Sequence, residues 1–312
     1  MRNLRDYIFL FLKGICMGGV NILHGVSGGT VAFVTGIYDR WITALSAFDK
    51  EAFSLLFRLQ LQEFNNKVDG RFLVSLLAGM LTGVLALSPV LFFLIKRYPV
   101  PLHAFFFGVV IIAAPLALRK VHRWNVGTAL ALVAGIAIAY GLTSLTGFIS
   151  PDSFWFLFLC GFLASCGLVW PGISISFILL LLGKYGYIVT AFDTMNLRVL
   201  LFFIPGFATG LICNARITRA FLVHYHHTAV ALLAGLMLGA LNKLWPWRAV
   251  TEFLTNRKGE QIPAFDHSIL PWHFMASTGK DPQVFQAILM VALGMFMVVL
   301  TEKIGARLKT KI

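Results

Sequence analysis

Apolar stretches of roughly 20 residues recur along this chain, separated by short polar segments. Six are uninterrupted: Phe72–Ile95, Leu102–Leu118, Val126–Thr146, Val199–Arg216, Thr228–Trp245 and Phe285–Thr301. As a helix, each approaches or reaches the length needed to cross about 30 Å of hydrocarbon. Two further apolar regions, 7–48 and 154–192, break near their centres at clusters of glycine and serine. A half-length helix on either side of such a break predicts a re-entrant hairpin. Non-helical backbone at membrane depth must be buried in protein or line a cavity.

The pattern repeats. Sliding the sequence by 147 residues lays Leu10–Leu45 on Leu157–Phe192 without a gap. Ten pairs are identical, among them Gly14/Gly161, Gly25/Gly172, Ser27/Ser174, Gly36/Gly183 and Tyr38/Tyr185. An offset of 127 then lays Arg71–Gly108 on Arg198–Gly235. The first half therefore carries 20 extra residues, a polar insertion at about 49–70. The chain divides into two repeats, 1–150 and 151–312, each a re-entrant hairpin followed by three transmembrane helices. Three crossings separate the two copies, and three is odd, so the second copy is inverted relative to the first. The expected fold class is an all-α polytopic membrane protein built from two inverted-topology repeats. A stretch at about 246–284 is expected to form an outside loop, with Trp245, Trp247 and Trp272 as interfacial anchors.

Only 12% of the 312 residues are charged, about half the share in soluble domains. The net charge of +13 does not indicate nucleic acid, because the basic residues lie scattered between apolar spans. Seventeen Lys and Arg residues fall on the side of both termini and nine on the other. That bias places both termini in the cytoplasm. The four cysteines sit in apolar sequence without a CxxC pair and read as small buried residues. His224, His226 and His227 read as interfacial, so no metal site is expected. The apolar start at Tyr7–Leu12 is not read as a signal peptide, because Lys13 interrupts it and it has an internal copy.

Candidate chemistry concentrates at the two breaks: His24-Gly-Val-Ser-Gly-Gly-Thr30 and Pro171-Gly-Ile-Ser-Ile-Ser176. Paired helix-breaking patches in two halves of a membrane protein point to a transport site. A broken helix frees backbone N–H donors, and the following half-helix begins with a partial positive charge. Gly25, Gly28, Gly29 and Gly172 admit close backbone approach. Ser27, Thr30, Ser174 and Ser176 add hydroxyls. Together they suit a phosphate or carboxylate reached alternately from each face. Arg40, Asp39 and Lys184, at the hairpin ends, are candidates for charge neutralisation or for the headgroup boundary. The remaining glycine pairs, such as Gly79/Gly83 and Gly206/Gly210, fit tight helix crossings.

Lys13-Gly14-x-x-Met17-Gly18, Gly25-Val-Ser-Gly-Gly-Thr30 and Gly36-Ile-Tyr38, with Pro171-Gly-Ile-Ser174 and Leu182-Gly-Lys-Tyr185, resemble the PopT-type polyprenyl-phosphate translocases. The resemblance covers essentially the whole chain. It implies a bacterial inner-membrane transporter that returns undecaprenyl phosphate from the outer to the cytoplasmic leaflet for reuse in envelope synthesis. Its partners would be the polyprenyl phosphate and membrane lipids, with no cofactor and with coupling to H+ or Na+ open. Three positions depart from the family pattern, and the loss of the carboxylate among them bears on coupling. Asn21 and His24 stand where the family pattern has an acidic residue and a proline, and Ile175 stands where a glycine is usual. The ordinary pKa of a histidine is close to neutral, which makes His24 a candidate to replace the lost carboxylate. Two other readings remain: a small-anion secondary transporter, and a membrane-embedded lipid phosphatase. The second lacks any Asp or Glu well inside a predicted span.

Overall fold

The structure is a computed structural model and describes residues 4–21, 25–145, 150–151, 153–255 and 261–309. His24 lies outside the described residues. Helix α1 (Leu4–Val20) leads to the first break. Short helices α2 (Gly28–Val34) and α3 (Tyr38–Ser46) follow, then α4 (Lys50–Phe57) and α5 (Leu61–Lys67). Long helices α6 (Gly70–Arg97), α7 (Pro99–Leu118) and α8 (Val126–Ser144) complete the first half. The second half begins with α9 (Phe154–Ala164) and the single turn α10 (Cys166–Val169). After its break come α11 (Ile175–Leu181), α12 (Tyr185–Asp193), α13 (Leu197–His224) and α14 (His226–Leu244).

Six described helices are long and apolar enough to cross a membrane: α6, α7, α8, α13, α14 and α16 (Val284–Lys309, over Val284–Lys303). They coincide with the six uninterrupted apolar stretches. The chain is a multi-pass membrane protein. The pair α11 and α12 passes the same test jointly but is bent by 119°.

Element bounds follow the two sequence offsets. Helices α2 and α11, and α3 and α12, are displaced by 147 residues at both ends; α6 and α13 are displaced by 127. The conformations that separate them also pair up. Gly25 (φ +102°) matches Gly172 (φ +89°), and Gly36 (φ +71°) matches Gly183 (φ +65°). Positive φ of this kind is open to glycine and strained for residues with a Cβ. In the first half the chain returns alongside itself, and the Lys13 ammonium on α1 donates to the Thr35 carbonyl past the end of α2 at 2.8 Å. In the second, residues before α9 meet those after α11: Ser150 Oγ donates to the Leu182 carbonyl at 2.6 Å, and Lys184 Nζ donates to the Ser150 carbonyl at 3.0 Å.

Long helices pack through glycine. Lipid is as apolar as a leucine side chain, so helices associate where small residues let backbones touch. At Gly14 and Gly18 of α1, and at Gly79 and Gly83 of α6, an added Cβ would lie 2.0–2.3 Å from a carbonyl oxygen of the other helix. Gly161 and Gly206 join α9 to α13 in the same way. The third spans are exchanged between halves. Helix α7 packs on α16 through Gly108 and Gly294, and α14 packs on α8 through Gly135 and Gly235.

Two polar segments lie outside this helical body. In the insertion, Asp49 caps α4 by accepting from the Ala52 N–H at 2.8 Å. Lys67 pairs with Asp49 and Glu51. The hydrogen bond from Lys67, then that from Ala52, holds the Asp49 carboxyl below the usual carboxylate range. The stretch expected as an outside loop carries its own small fold, a two-stranded addition to a mostly helical chain. Strands β1 (Arg248–Thr255) and β2 (Gln261–Ser268) pair antiparallel, and α15 (Pro271–Thr278) follows. Trp245 is half-buried and Trp247 is buried. Their indole N–H groups donate to the carbonyls of Ile269 and Pro282, each at 2.7 Å, and tie this unit to the end of α14. Trp272 remains exposed.

Candidate functional site

The two glycine/serine motifs meet inside the protein. Ser27 ends the first break as the N-cap of α2, in extended backbone, and its hydroxyl accepts from the Thr30 N–H. The same Ser27 Oγ and Thr30 Oγ1 both accept from the Gly172 N–H of the other motif, at 3.2 and 3.1 Å. Ser27 Oγ also lies 3.3 Å from the Trp170 carbonyl, and Tyr38 OH donates to the Val169 carbonyl at 3.0 Å. Gly29 permits the approach: a Cβ there would sit 3.1 Å from the Val169 carbonyl oxygen and 3.2 Å from the Pro171 nitrogen. Ser174 holds the N-cap position of α11 in extended backbone without a side-chain capping bond, and its hydroxyl lies 2.8 Å from that of Ser176. All four hydroxyl residues are buried; Ser27 and Thr30 are fully so.

Asn21 spans the first break. Its Oδ1 accepts from the Gly28 N–H and its Nδ2 donates to the Met17 carbonyl, both at 2.9 Å. It thereby satisfies one freed donor and one freed acceptor that the broken helix leaves behind. A carboxylate at this place would accept the first bond and could not donate the second.

The charged candidates sit apart from these hydroxyls. Arg40 forms a two-point pair with Asp69, one contact at 2.9 Å, and stacks over Phe72. Asp39 is exposed in the first turn of α3. Lys184 is buried at the far end of the second hairpin, on the Ser150 carbonyl.

Sequence patterning did not single out α14, yet this helix touches both breaks. A Cβ on Gly172 would lie 2.6 Å from the Leu236 carbonyl oxygen; one on Gly25 would lie 3.1 Å from the Leu244 side chain and 3.3 Å from Lys243 Cβ. Leu236 and Leu244 are eight residues apart, about 12 Å along a helix. Helix α14 is also the most buried of the six spans. Lys243 is 7% exposed, and its ammonium lies 5.7 Å from the Phe177 ring centre on α11. At the end of a predicted span it reads as a boundary lysine, and its charge alone carries no sign of burial.

Two larger cavities flank this core. One of about 550 Å³ lies at the end of α14 and is lined by Phe107, Tyr140, Asn242, Trp245 and His273, among others. Another, of about 240 Å³, lies past the end of α2 and is lined by Phe33, Thr35, Lys120 and Glu302 among others, with the Lys120 ammonium 4.8 Å above the Phe33 ring. No group of three or more His, Cys, Asp or Glu is arranged to hold a metal ion among the described residues.

Residues 17–262 match the model of a family described as undecaprenyl phosphate translocase-like. A polyprenyl-phosphate transporter of Vibrio cholerae is 32% identical over 298 residues, 96% of this chain and 97% of that protein. A polyprenyl-phosphate transporter of Staphylococcus aureus is 30% identical over 254 residues, 75% of this chain and 85% of that protein. No solved structure matches. The matches to the family model and to the Vibrio cholerae protein run through both glycine/serine motifs, and the chain belongs to the undecaprenyl phosphate translocase-like family.

Proposed function

We propose that this protein carries polyprenyl phosphate across the membrane, from the outer to the cytoplasmic leaflet, by alternating access, with the phosphate handled where the two motifs meet. Both named relatives are polyprenyl-phosphate transporters, and the chain is not an enzyme. The observation that carries the reading is the Gly172 N–H shared by Ser27 and Thr30. It joins the two breaks into one buried polar centre inside an apolar helical body. An uncompensated phosphate in hydrocarbon costs many kcal/mol. Hydroxyls and freed backbone donors replace part of its hydration, while the isoprenoid tail stays in lipid. With no GxxxxGK[ST] motif in the sequence, an H+ or Na+ gradient or the membrane potential supplies any driving force.

Each hairpin is re-entrant on this reading, and the two halves are inverted. The meeting of hairpin ends at Lys13 with Thr35, and at Ser150 with Lys184, supports a return to the starting face. One asymmetry supports alternating access. Helix α3 packs on α13, where Arg216 bonds the carbonyls of Ser46 and Phe48 and Arg219 bonds the Ser46 hydroxyl. The equivalent helices α12 and α6 make no comparable contact. The Lys and Arg bias places Arg216 and Arg219 at the cytoplasmic face, so this arrangement is closed on that side.

The test is surface labelling of undecaprenyl phosphate on intact cells with a probe for the exposed phosphate. Depletion of the protein raises the signal and the wild-type chain lowers it. Ser27→Ala with Ser174→Ala, produced to the same level, does not lower it. A surface signal indifferent to the protein removes the lipid substrate and favours small-anion transport.

A further inference from the structure

Among the described residues two lysines are buried, Lys184 and Lys243. Lys184 lies at the mouth of the second hairpin, on a backbone carbonyl. Lys243 lies elsewhere. Its stem packs against the first break at Gly25, and its ammonium faces Phe177, the residue after Ser176 in the second motif. A lysine closing a span ordinarily extends its head to the water interface. Lys243 is instead turned into the protein at 7% exposure. Ionisable side chains inside membrane helices are costly and are retained chiefly where they serve a pathway or a ligand.

The duplicated fold supplies an internal control. At the offset of 127 residues, the position in α7 that answers to Lys243 is Leu116. A leucine therefore satisfies the packing of the repeat at that place, and the lysine is not needed to build the fold. What distinguishes the two places is the charge, carried on a side chain whose Cβ lies at Gly25 and whose ammonium lies 5.7 Å from the Phe177 ring centre. Asn242 and Trp245, on either side of Lys243 and Leu244, line the cavity of about 550 Å³ that opens beside the β1–β2 unit. Lys243 does not itself line that cavity but lies between residues that do, and its ammonium is suited to a phosphate monoester, as a point charge with three donors.

We propose that Lys243 is the cation that binds the phosphate of the carrier lipid as it enters from the face bearing the β1–β2 unit. The proposal rests on the polyprenyl-phosphate reading above. It makes Lys243 a specificity residue: it separates the phosphorylated lipid from the neutral alcohol, which shares the tail.

The experiment uses the full chain, purified in detergent, with farnesyl phosphate and farnesol as probes. The wild-type protein binds farnesyl phosphate more tightly. Lys243→Gln weakens that binding by about 10- to 100-fold, the scale of one charge-assisted contact, and leaves farnesol binding unchanged. Lys243→Arg stays within a few-fold of wild type. Lys243→Met keeps the stem packed on Gly25 and serves if the glutamine variant does not fold. A neutral variant that keeps the full preference for farnesyl phosphate overturns the proposal, as does one that loses both probes equally. If neither neutral variant folds while Lys243→Arg does, the charge is structural and the proposal also fails. If the wild-type chain shows no preference for the phosphate, the functional reading itself falls, a result distinct from the others.

Discussion

Gly172→Ala isolates what the second break requires. Two costs can be separated. At φ +89° a residue with a Cβ is strained by about 1–2 kcal/mol. The Cβ would also lie 2.6 Å from the Leu236 carbonyl oxygen, 2.8 Å from its carbonyl carbon and 3.0 Å from Met237 Cα. These are backbone atoms of the most buried span, so no side chain can swing away. Overpacking of that kind costs about 1–3 kcal/mol, and the two costs together come to about 2–5 kcal/mol. Gly36→Ala is the matched control. It has φ +71° and nothing within 4 Å of the added Cβ, so it carries the conformational cost alone. Thermal unfolding of the purified protein, followed by tryptophan fluorescence, reads the difference. At about 2–4 °C per kcal/mol, Gly36→Ala lowers Tm by about 2–8 °C, and Gly172→Ala lowers it about twice as far. Equal losses, or a milder Gly172→Ala, would show that α14 does not brace this break and would remove the packing argument.

Other consequences follow from contacts already described. Because Ser27 and Thr30 both accept the Gly172 N–H, Ser27→Ala and Thr30→Ala each leave one acceptor, and each costs about 1 kcal/mol. The double variant strands a buried donor and loses about 1–3 kcal/mol beyond the sum; strict additivity in a double-mutant cycle means Gly172 has another partner. If Arg216 and Arg219 close the α3 face, then replacing both with alanine speeds maleimide labelling of a cysteine at buried Ala44 several-fold, and an unchanged rate denies them that role. Asp49 carries a lowered pKa through Lys67 and Ala52. The order it lends to the start of α4 is therefore present above the ordinary carboxylate range and is lost as pH falls through its depressed pKa. Amide exchange of α4 across pH 2–6 in wild type and Asp49→Asn checks this, because the variant should show no such step.

Much of the fold was legible because lipid imposes a simple rule. The six apolar stretches had to be helices, and they are. Gly25, Gly36, Gly172 and Gly183 stood out as identical pairs, and each proves to hold a positive φ that its partner shares. The packing glycines were equally plain, since small residues spaced along apolar helices mark close crossings. Two things were not legible. The β1–β2 unit lies between the last two spans, α14 and α16, and its short alternation is weak beside the apolar signal around it. The place of α14 was hidden for a different reason. Its contacts with both breaks come from tertiary packing across 63 residues in one case (Leu236 with Gly172) and more than 200 in the other (Leu244 with Gly25). No local pattern reports such contacts, and the charge of Lys243 looked like any other at the end of a span.

The internal bonding of the two motifs constrains how a phosphate could be accepted there. Ser27, Thr30 and Asn21 already engage the Gly172 and Gly28 N–H groups. A phosphate can take these donors only if the acceptors that hold them turn away. The exchange is nearly balanced in number of bonds, because each N–H passes from one oxygen to another. Its direction is then set by charge, since bonds to an ionised oxygen are roughly twice as strong as neutral ones. A neutral polyprenol offers no such gain and leaves the motifs closed. On the proposed reading the paired hydroxyls therefore act as a lock that opens for a phosphate head, and opening it separates the two breaks. Separation of the breaks is also what a change of access between the two faces requires, so binding and movement would draw on the same few bonds.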